Sequence, residues 1–166
     1  MVDVPDNLVR RTEDGYVHHK GVAAVSPGEI APIAGSRASL SYVVRATAGV
    51  AGALGGLSHG AGRKYDRATM HGRVGRTRSE RDDLLRNGWG GIAICDDRDL
   101  VIEEASAAYK DARQVVTDLE GAGLVEALAA LRLLVTYKKA VDLSDGVRRI
   151  DKRGHRRTGG REHDRG

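Results

Sequence analysis

The residue pattern is compatible with an α+β fold, in which a β-rich first half precedes a mixture of short helices and strands. Between Gly15 and Arg45, β-branched and aromatic residues recur in strand-like runs. Beyond Lys64 the pattern changes to polar, helix-compatible segments that stand between short apolar runs. The chain has 166 residues, which suits one domain with a single core.

The first half contains two strand segments and the turns that bound them. Tyr16-Val17-His18 and residues 40–44 favour strands, and Pro27-Gly28 and Gly35-Ser36 favour turns. Glycines are frequent between Gly49 and Gly56. They predict a flexible connector into the second half.

The second half begins with a mostly polar segment, residues 64–85, which is predicted to be helical despite Gly72 and Gly75. Two apolar runs, residues 92–95 and 100–102, predict short strands on either side of an acidic turn.

The last apolar segments predict one helix and a second region for which both helix and strand remain open. Residues 107–120 favour a helix that carries Val115, Val116 and Leu119 on one face. Residues 124–137 are apolar enough for a buried helix or two buried strands, and periodicity does not decide between them. From Ser144 onward the residues lack apolar spacing and predict a disordered tail.

The formal net charge of +4 is unevenly distributed along the chain. Residues 1–147 hold 19 Lys and Arg against 20 Asp and Glu, whereas residues 148–166 hold eight against three. The positive surplus therefore belongs to the tail, and one hypothesis is that the tail attaches to RNA phosphates without sequence preference.

Two absences in the sequence bound the cellular setting. No run approaches the eighteen or more apolar residues of a membrane span, and no signal pattern precedes Asp3. Cys95 is the single cysteine, so no intramolecular disulfide forms. We expect a cytoplasmic protein without a membrane partner.

The string Ser58-His59-Gly60-Ala61-Gly62-Arg63 carries the clearest chemistry. Its imidazole is a nucleophile near neutral pH, and the small residues after it allow close approach of a phosphate to the backbone. Arg63 could hold phosphate oxygens by charge-assisted hydrogen bonds. By itself, the string is more typical of a glycine turn with a surface histidine.

Other polar residues indicate a function less clearly. Gly35-Ser36-Arg37 and Ser41-Tyr42 suit a phosphate or a base edge, but they also suit ordinary turn chemistry. His18 and His19 are neighbours in a predicted strand and point to opposite faces, so they do not bind one metal ion together. Residues 96–99 are interpreted as a solvated turn.

The following strings occur in chain order: Asp6-Asn7-Leu8-Val9, His18-His19-Lys20-Gly21, Pro32-Ile33-Ala34-Gly35-Ser36-Arg37, Ser41-Tyr42-Val43, Ser58-His59-Gly60-Ala61-Gly62-Arg63-Lys64, Glu103-Glu104-Ala105, Ala108-Tyr109-Lys110-Asp111, Leu131-Arg132 and Thr136-Tyr137-Lys138. Together they resemble the RtcB family of GTP-dependent RNA ligases, in particular the shorter members associated with release factor H. The resemblance covers most of residues 2–139 and implies an α+β fold with mixed sheets.

The resemblance implies an activity, and with it GTP and Mn²⁺ as cofactors. Family members join RNA ends that carry a 3′-phosphate or a 2′,3′-cyclic phosphate to 5′-hydroxyl ends, in tRNA splicing or RNA repair. A histidine attacks the α-phosphate of GTP, and the GMP group then passes to the RNA 3′-phosphate. His59 matches that histidine, which makes it the expected catalytic residue.

The resemblance also assigns the other site residues. The expected nucleotide-contacting residues are Asn7, Gly35, Ser36, Arg37, Ser41, Gly60, Ala61, Gly62, Tyr109 and Lys138. Of these, Tyr109 and Lys138 match positions that hold the guanine base. Asp6 stands where the family has a manganese-binding histidine, and a carboxylate can also bind this ion.

Family members are more than twice as long as this chain, and their N-terminal half supplies the other manganese ligands. We therefore expect residues 1–139 to be the C-terminal part of an RtcB-like ligase domain and residues 140–166 to be an Arg-rich disordered tail. A separate N-terminal ligase half is a possible partner besides RNA. The alternative to a ligase is a non-catalytic remnant that binds guanine nucleotide or RNA.

Overall fold

The computed structural model describes Val4, Pro5 and residues 7–139. The expected metal ligand Asp6 and the predicted tail, residues 140–166, lie outside these residues. Within them the architecture is α+β, with small mixed sheets and short helices, as the sequence predicts. No helix in this part of the chain is both long enough and apolar enough to cross a membrane.

The described residues form nine strands and four α-helices. The strands are β1 (Asn7–Thr12), β2 (Gly15–Lys20), β3 (Val22–Ala24), β4 (Ile30–Ile33), β5 (Ser41–Ala46), β6 (Gly56–Ser58), β7 (Ile92–Ile94), β8 (Val125–Leu131) and β9 (Val135–Tyr137). The helices are α1 (Arg67–His71), α2 (Arg78–Asp83), α3 (Arg98–Glu103) and α4 (Ala112–Gly121). Two 3₁₀-helices cover Ala48–Ala53 and Ser106–Ala108.

The strands form four separate sheets. β1 and β2 form an antiparallel hairpin, and β3 pairs antiparallel with β6. The largest sheet has the order β4-β5-β8 and is antiparallel, with an irregularity in β5 between Val43 and Val44. β7 and β9 form the one parallel pair among the described strands.

Two apolar clusters stabilise this arrangement. The larger cluster lies between the β4-β5-β8 sheet and α4, and its fully buried members include Ile33, Val44 and Val50. The smaller cluster is built on Met70 and Ile102, which belong to α1 and α3. The candidate site lies on the segments that join these two clusters.

The predicted strand at residues 100–102 is wrong, because these residues belong to α3. The side chain of Asp97 caps this helix by accepting hydrogen bonds from the amides of Asp99 and Leu100, at 3.1 and 3.2 Å. Val101 and Ile102 are then both buried, and Ile102 belongs to the smaller cluster. A run of three apolar residues is too short for periodicity to distinguish these two structures.

Two further predictions need correction in their detail. The helix expected from residue 107 begins at Ala112, because Asp111 caps it. Residues 124–137 form two strands, which was one of the open alternatives, but most of their side chains are exposed. β8 pairs only with β5 and is therefore an edge strand of the described sheet.

The glycine-rich connector contains the 3₁₀-helix Ala48–Ala53. Thr47 caps this helix by accepting a hydrogen bond from the amide of Gly49 at 3.1 Å. The segment after residue 64 is helical only in α1 and α2, which are separated by residues 72–77. The helical prediction for that segment is therefore confirmed in part.

Candidate functional site

His59 stands at the point where β6 ends. Ser58, the last residue of this strand, pairs with Val22 of β3, which places His59 beside Gly21. A Cβ atom on Gly21 would lie 4.0 Å from Nε2 of His59. The His59 side chain is exposed, so its imidazole is accessible from solvent.

The chain after His59 runs beside the end of β4. The amide of Ala34 donates to the carbonyl of His59 at 3.1 Å, and the amide of Ala61 donates to the carbonyl of Ala34 at 2.9 Å. A Cβ atom on Gly60 would approach that carbonyl oxygen of Ala34 to 3.1 Å. Gly62 has a φ of +70°, the left-handed region that favours glycine. The glycines are thus required by close packing and by backbone conformation.

The loop from Gly35 to Ser41 adjoins the His59 segment through Ala34. Its two ends are joined by a hydrogen bond from the Gly35 amide to Oγ of Ser41, at 3.0 Å. The Ser36 amide donates to Oγ of Ser39 at 2.7 Å, and the Ser36 side chain is buried. The structure therefore places this loop, which contains several expected nucleotide-contacting residues, beside Gly60. The hydroxyl groups of Ser39 and Ser41 accept hydrogen bonds from amides within the loop.

Arg37 connects the same loop to α3. Its Nη2 donates to the carbonyl of Val101 at 2.6 Å, and its Nε donates to the carbonyl of Glu104 at 3.2 Å. Burial lowers the pKa of the Arg37 guanidinium from its ordinary value. These bonds hold the C-terminal end of α3 against the loop, which the sequence did not indicate.

Arg63 ends the small-residue segment and is held at several points. Its Nε donates to the carbonyl of Tyr65 at 3.0 Å, and its Nη2 donates to the carbonyl of Glu103 at 2.7 Å. Its Nη1 lies 3.3 Å both from Oε1 of Glu104 and from the Tyr109 hydroxyl oxygen. The guanidinium carbon is 5.1 Å from the centroid of the Tyr109 ring. Arg63 thereby fixes the position of the ring.

Glu104 joins the two residues that the family resemblance assigns to the base. The Tyr109 hydroxyl donates a hydrogen bond to Oε2 of Glu104, and Nζ of Lys138 lies 3.0 Å from the same oxygen. Only 11% of the Glu104 side chain is exposed. Sequence reasoning assigned no role to Glu104, although it stands in the Glu103-Glu104-Ala105 string.

The ionisation of this cluster follows from its contacts. Burial alone would raise the pKa of Glu104, but hydrogen bonds from Tyr109 and Lys138 outweigh burial and hold it below its ordinary value. Burial raises the pKa of Tyr109, and the hydrogen bond to the Glu104 carboxylate raises it further. The cluster is therefore most stable with a charged carboxylate and a neutral phenol.

Asn7 begins the β1-β2 hairpin, whose second strand leads into Gly21. It pairs with Lys20, the residue before Gly21, and its Oδ1 lies 3.2 Å from Nε2 of His18. His18 is exposed and His19 is buried, which confirms that the two point to opposite faces of β2. The described residues contain no group of three or more His, Cys, Asp or Glu side chains that could hold a metal ion.

The expected site residues thus fall into two groups joined by one short segment. At one end, the loop from Gly35 adjoins the His59 segment, and Asn7 pairs with the residue before Gly21. At the other end, Tyr109 contacts Arg63, and Lys138 reaches the same cluster through Glu104. Three residues separate His59 from Arg63, so their Cα atoms lie at most about 14 Å apart. An elongated ligand with an anionic group and a planar ring suits such an arrangement.

Comparison with known proteins identifies relatives along the same residues. The family described as "tRNA-splicing ligase RtcB" matches residues 1–139. An "RNA-splicing ligase RtcB2" from Escherichia coli is 36% identical over 144 residues, covering 84% of this chain and 37% of that protein. A "tRNA-splicing ligase RtcB" from Pyrococcus furiosus is 35% identical over 130 residues, covering 70% of this chain and 13% of that protein.

A third relative, "RNA-splicing ligase RtcB homolog 1" from Entamoeba dispar, is 31% identical over 137 residues, covering 74% of this chain and 25% of that protein. The chain therefore spans about a third or less of the length of these relatives. The family match covers all of the described residues and includes both groups of the candidate site. The chain belongs to the RtcB family of tRNA-splicing ligases.

Proposed function

We propose that this chain carries the nucleotide-accepting part of an RNA ligase, with GTP as the donor and His59 as the acceptor. A ring nitrogen of His59 attacks the α-phosphorus of GTP, a P–N bond forms, and the bond to the β-phosphate oxygen breaks. Pyrophosphate leaves with the electron pair of that bond. The bound GMP group then passes to an RNA 3′-phosphate, and a 5′-hydroxyl displaces GMP to form the new phosphodiester.

One observation carries this proposal: His59 is exposed and is followed by a segment with almost no side-chain bulk that leads directly to the Tyr109 cluster. The order in space is a nucleophile, His59, then a backbone that a phosphate can approach, and then the Tyr109 ring with a cation beside it. Tyr109 and Lys138 supply a planar surface and a donor, which suit a purine base. The loop from Gly35 borders the phosphate end of this path.

The metal requirement is not met by the described residues alone. Asp6, the expected manganese ligand in this chain, lies outside them, and they contain no cluster of three or more metal ligands. We propose that a separately supplied N-terminal ligase half completes the metal site, since the relatives are about three or more times longer than the stretch they share with this chain. RNA with a 3′-phosphate or 2′,3′-cyclic phosphate and a 5′-hydroxyl is the proposed substrate.

The test is the intact mass of the full chain after incubation with GTP and MnCl₂, with and without the N-terminal half of an RtcB relative. We expect a covalent adduct of one GMP group on the wild type. His59→Ala removes the adduct, whereas His71→Ala, which changes another exposed histidine, retains it. An adduct that survives His59→Ala would contradict the assignment of the acceptor.

The second candidate function is binding of guanine nucleotide without transfer. It is favoured by the Glu104 cluster, which is complete within the described residues although the metal ligands are not. Equilibrium binding of GTP and ATP to the full chain separates the two candidates. Saturable binding of GTP without any adduct, even with the N-terminal half present, supports the second candidate and excludes the first.

A further inference from the structure

Positive charge is concentrated in the segment that contains α1 and α2. Residues 64–86 hold seven Lys and Arg against four Asp and Glu, although residues 1–147 as a whole are close to neutral. The basic residues are Lys64, Arg67, Arg73, Arg76, Arg78, Arg81 and Arg86. This segment therefore attracts a polyanion more strongly than the average charge of residues 1–147 implies.

Within this segment, Tyr65 and Arg73 form a flat platform. The guanidinium carbon of Arg73 lies 3.8 Å from the centroid of the Tyr65 ring, and Nζ of Lys64 lies 5.4 Å from it. Arg73 is exposed, so its planar group is open to a further planar group from solvent. Arginine planes stacked in this way are surfaces on which unpaired bases of RNA bind.

An open cavity of about 350 Å³ adjoins the platform. Val74 and Leu84 contribute apolar lining, and two arginines and two carboxylates contribute charged lining: Arg73, Arg76, Glu80 and Asp83. This volume falls within the range of ligand sites in proteins and accommodates one nucleobase. A carboxylate near the base can accept from an exocyclic amino group, and the arginines can pair with phosphates.

The platform is anchored to the candidate site. The amides of Lys64 and Tyr65 both donate to the carbonyl of Ala108, at 2.7 and 3.2 Å. Ala108 directly precedes Tyr109, so the platform begins where the proposed nucleotide path ends. A strand of RNA that reaches His59 can therefore continue over α1.

We propose that Tyr65 and Arg73, with the adjoining cavity, form a binding site for an unpaired base of single-stranded RNA, flanked by phosphate contacts from Lys64 and Arg76. The base stacks on the guanidinium of Arg73, and Tyr65 supports that guanidinium from its other side. This inference rests on the proposed function, because it assigns the RNA strand of the proposed ligase to one face of the chain.

The test is fluorescence anisotropy of a labelled single-stranded RNA titrated with the full chain, with inorganic polyphosphate titrated in parallel as a polyanion without bases. Arg73→Ala is compared with Arg113→Ala, which removes an exposed arginine from α4 and changes the net charge equally. We expect Arg73→Ala to weaken RNA binding at least about fivefold, the lower range for loss of one stacked base. Arg113→Ala weakens it less than about twofold.

Arg73→Lys keeps the charge and removes the planar group. We expect it to bind polyphosphate like the wild type and RNA more weakly. Equal effects of Arg73→Ala and Arg113→Ala on RNA, or equal losses for RNA and polyphosphate with Arg73→Ala, would overturn the inference. The GMP adduct is measured without RNA, so loss of the proposed function is recognised separately from loss of this site.

Discussion

The Tyr109 hydroxyl and Oε2 of Glu104 share a hydrogen bond across the candidate site, and Nζ of Lys138 reaches the same oxygen at 3.0 Å. One carboxylate therefore positions two residues that are distant in sequence from His59. Because the carboxylate is largely buried, its partners cannot be replaced by water without cost. Predictions for the cluster follow from this relationship.

Glu104→Gln should destabilise the folded chain by about 2 kcal/mol, since it removes the charge partner of Lys138 and Arg63 in a largely buried setting. The measurement is urea unfolding followed by circular dichroism at neutral pH. Glu126→Gln is the matched control, because Glu126 pairs with Arg45 at 3.1 Å on the open surface. That control should change the stability by less than about 1 kcal/mol. Equal losses for the two variants would contradict the prediction.

The hydrogen-bonded pair of Tyr109 and Glu104 predicts that the stability of the folded chain falls at alkaline pH. Because the pKa of Tyr109 is raised in the folded state, its contribution to stability is complete below the unfolded pKa and is lost as pH rises through the folded pKa. Glu104→Gln removes the carboxylate acceptor and should lower the pKa of Tyr109. The measurement is phenolate absorbance during alkaline titration. The titration curve of a Tyr109→Phe variant is subtracted to isolate the Tyr109 signal from that of the other tyrosines. A Tyr109 titration that does not move in Glu104→Gln would refute the assignment.

At acid pH the cluster should respond through Glu104. Its folded pKa is depressed, so its contribution is present above the unfolded pKa and is lost as pH falls through the folded pKa. Thermal unfolding of the wild type should therefore move to lower temperature over this acid range. Glu104→Gln should show a smaller acid dependence, and an identical dependence would argue against the role of this carboxylate.

The loop beside His59 offers a test of close packing. A Cβ atom on Gly35 would lie 2.1 Å from the carbonyl oxygen of Leu40 and 2.7 Å from Oγ of Ser39, so Gly35→Ala must displace the backbone. We expect a loss of about 2 kcal/mol or more, and weaker GTP binding. Gly52→Ala is the control, because a Cβ atom there meets nothing within 4 Å. Urea unfolding of both variants checks the difference, and a stable Gly35→Ala would be evidence against this loop geometry.

Much of the fold could be predicted because its elements have local signals. β5 alternates buried side chains with more exposed ones, and α4 lies mostly within the helix predicted over residues 107–120. Residues 100–102 could not be assigned correctly, because three apolar residues fit a strand or a helix and only the Asp97 cap and burial on α3 decide between them. Periodicity also left residues 124–137 open between a helix and two strands. The exposure of these residues depends on which strands are available to pair with them.

By itself, the sequence determined the chemistry of His59 and of the small residues after it, because nucleophilicity and lack of bulk are properties of the residues. It also determined the family, through strings in a fixed order. Only the tertiary structure decided that Arg37 binds the end of α3 and that Glu104 joins Tyr109 to Lys138. Side-chain partners distant in sequence depend on how strands and loops pack, and no local pattern of residues encodes that geometry.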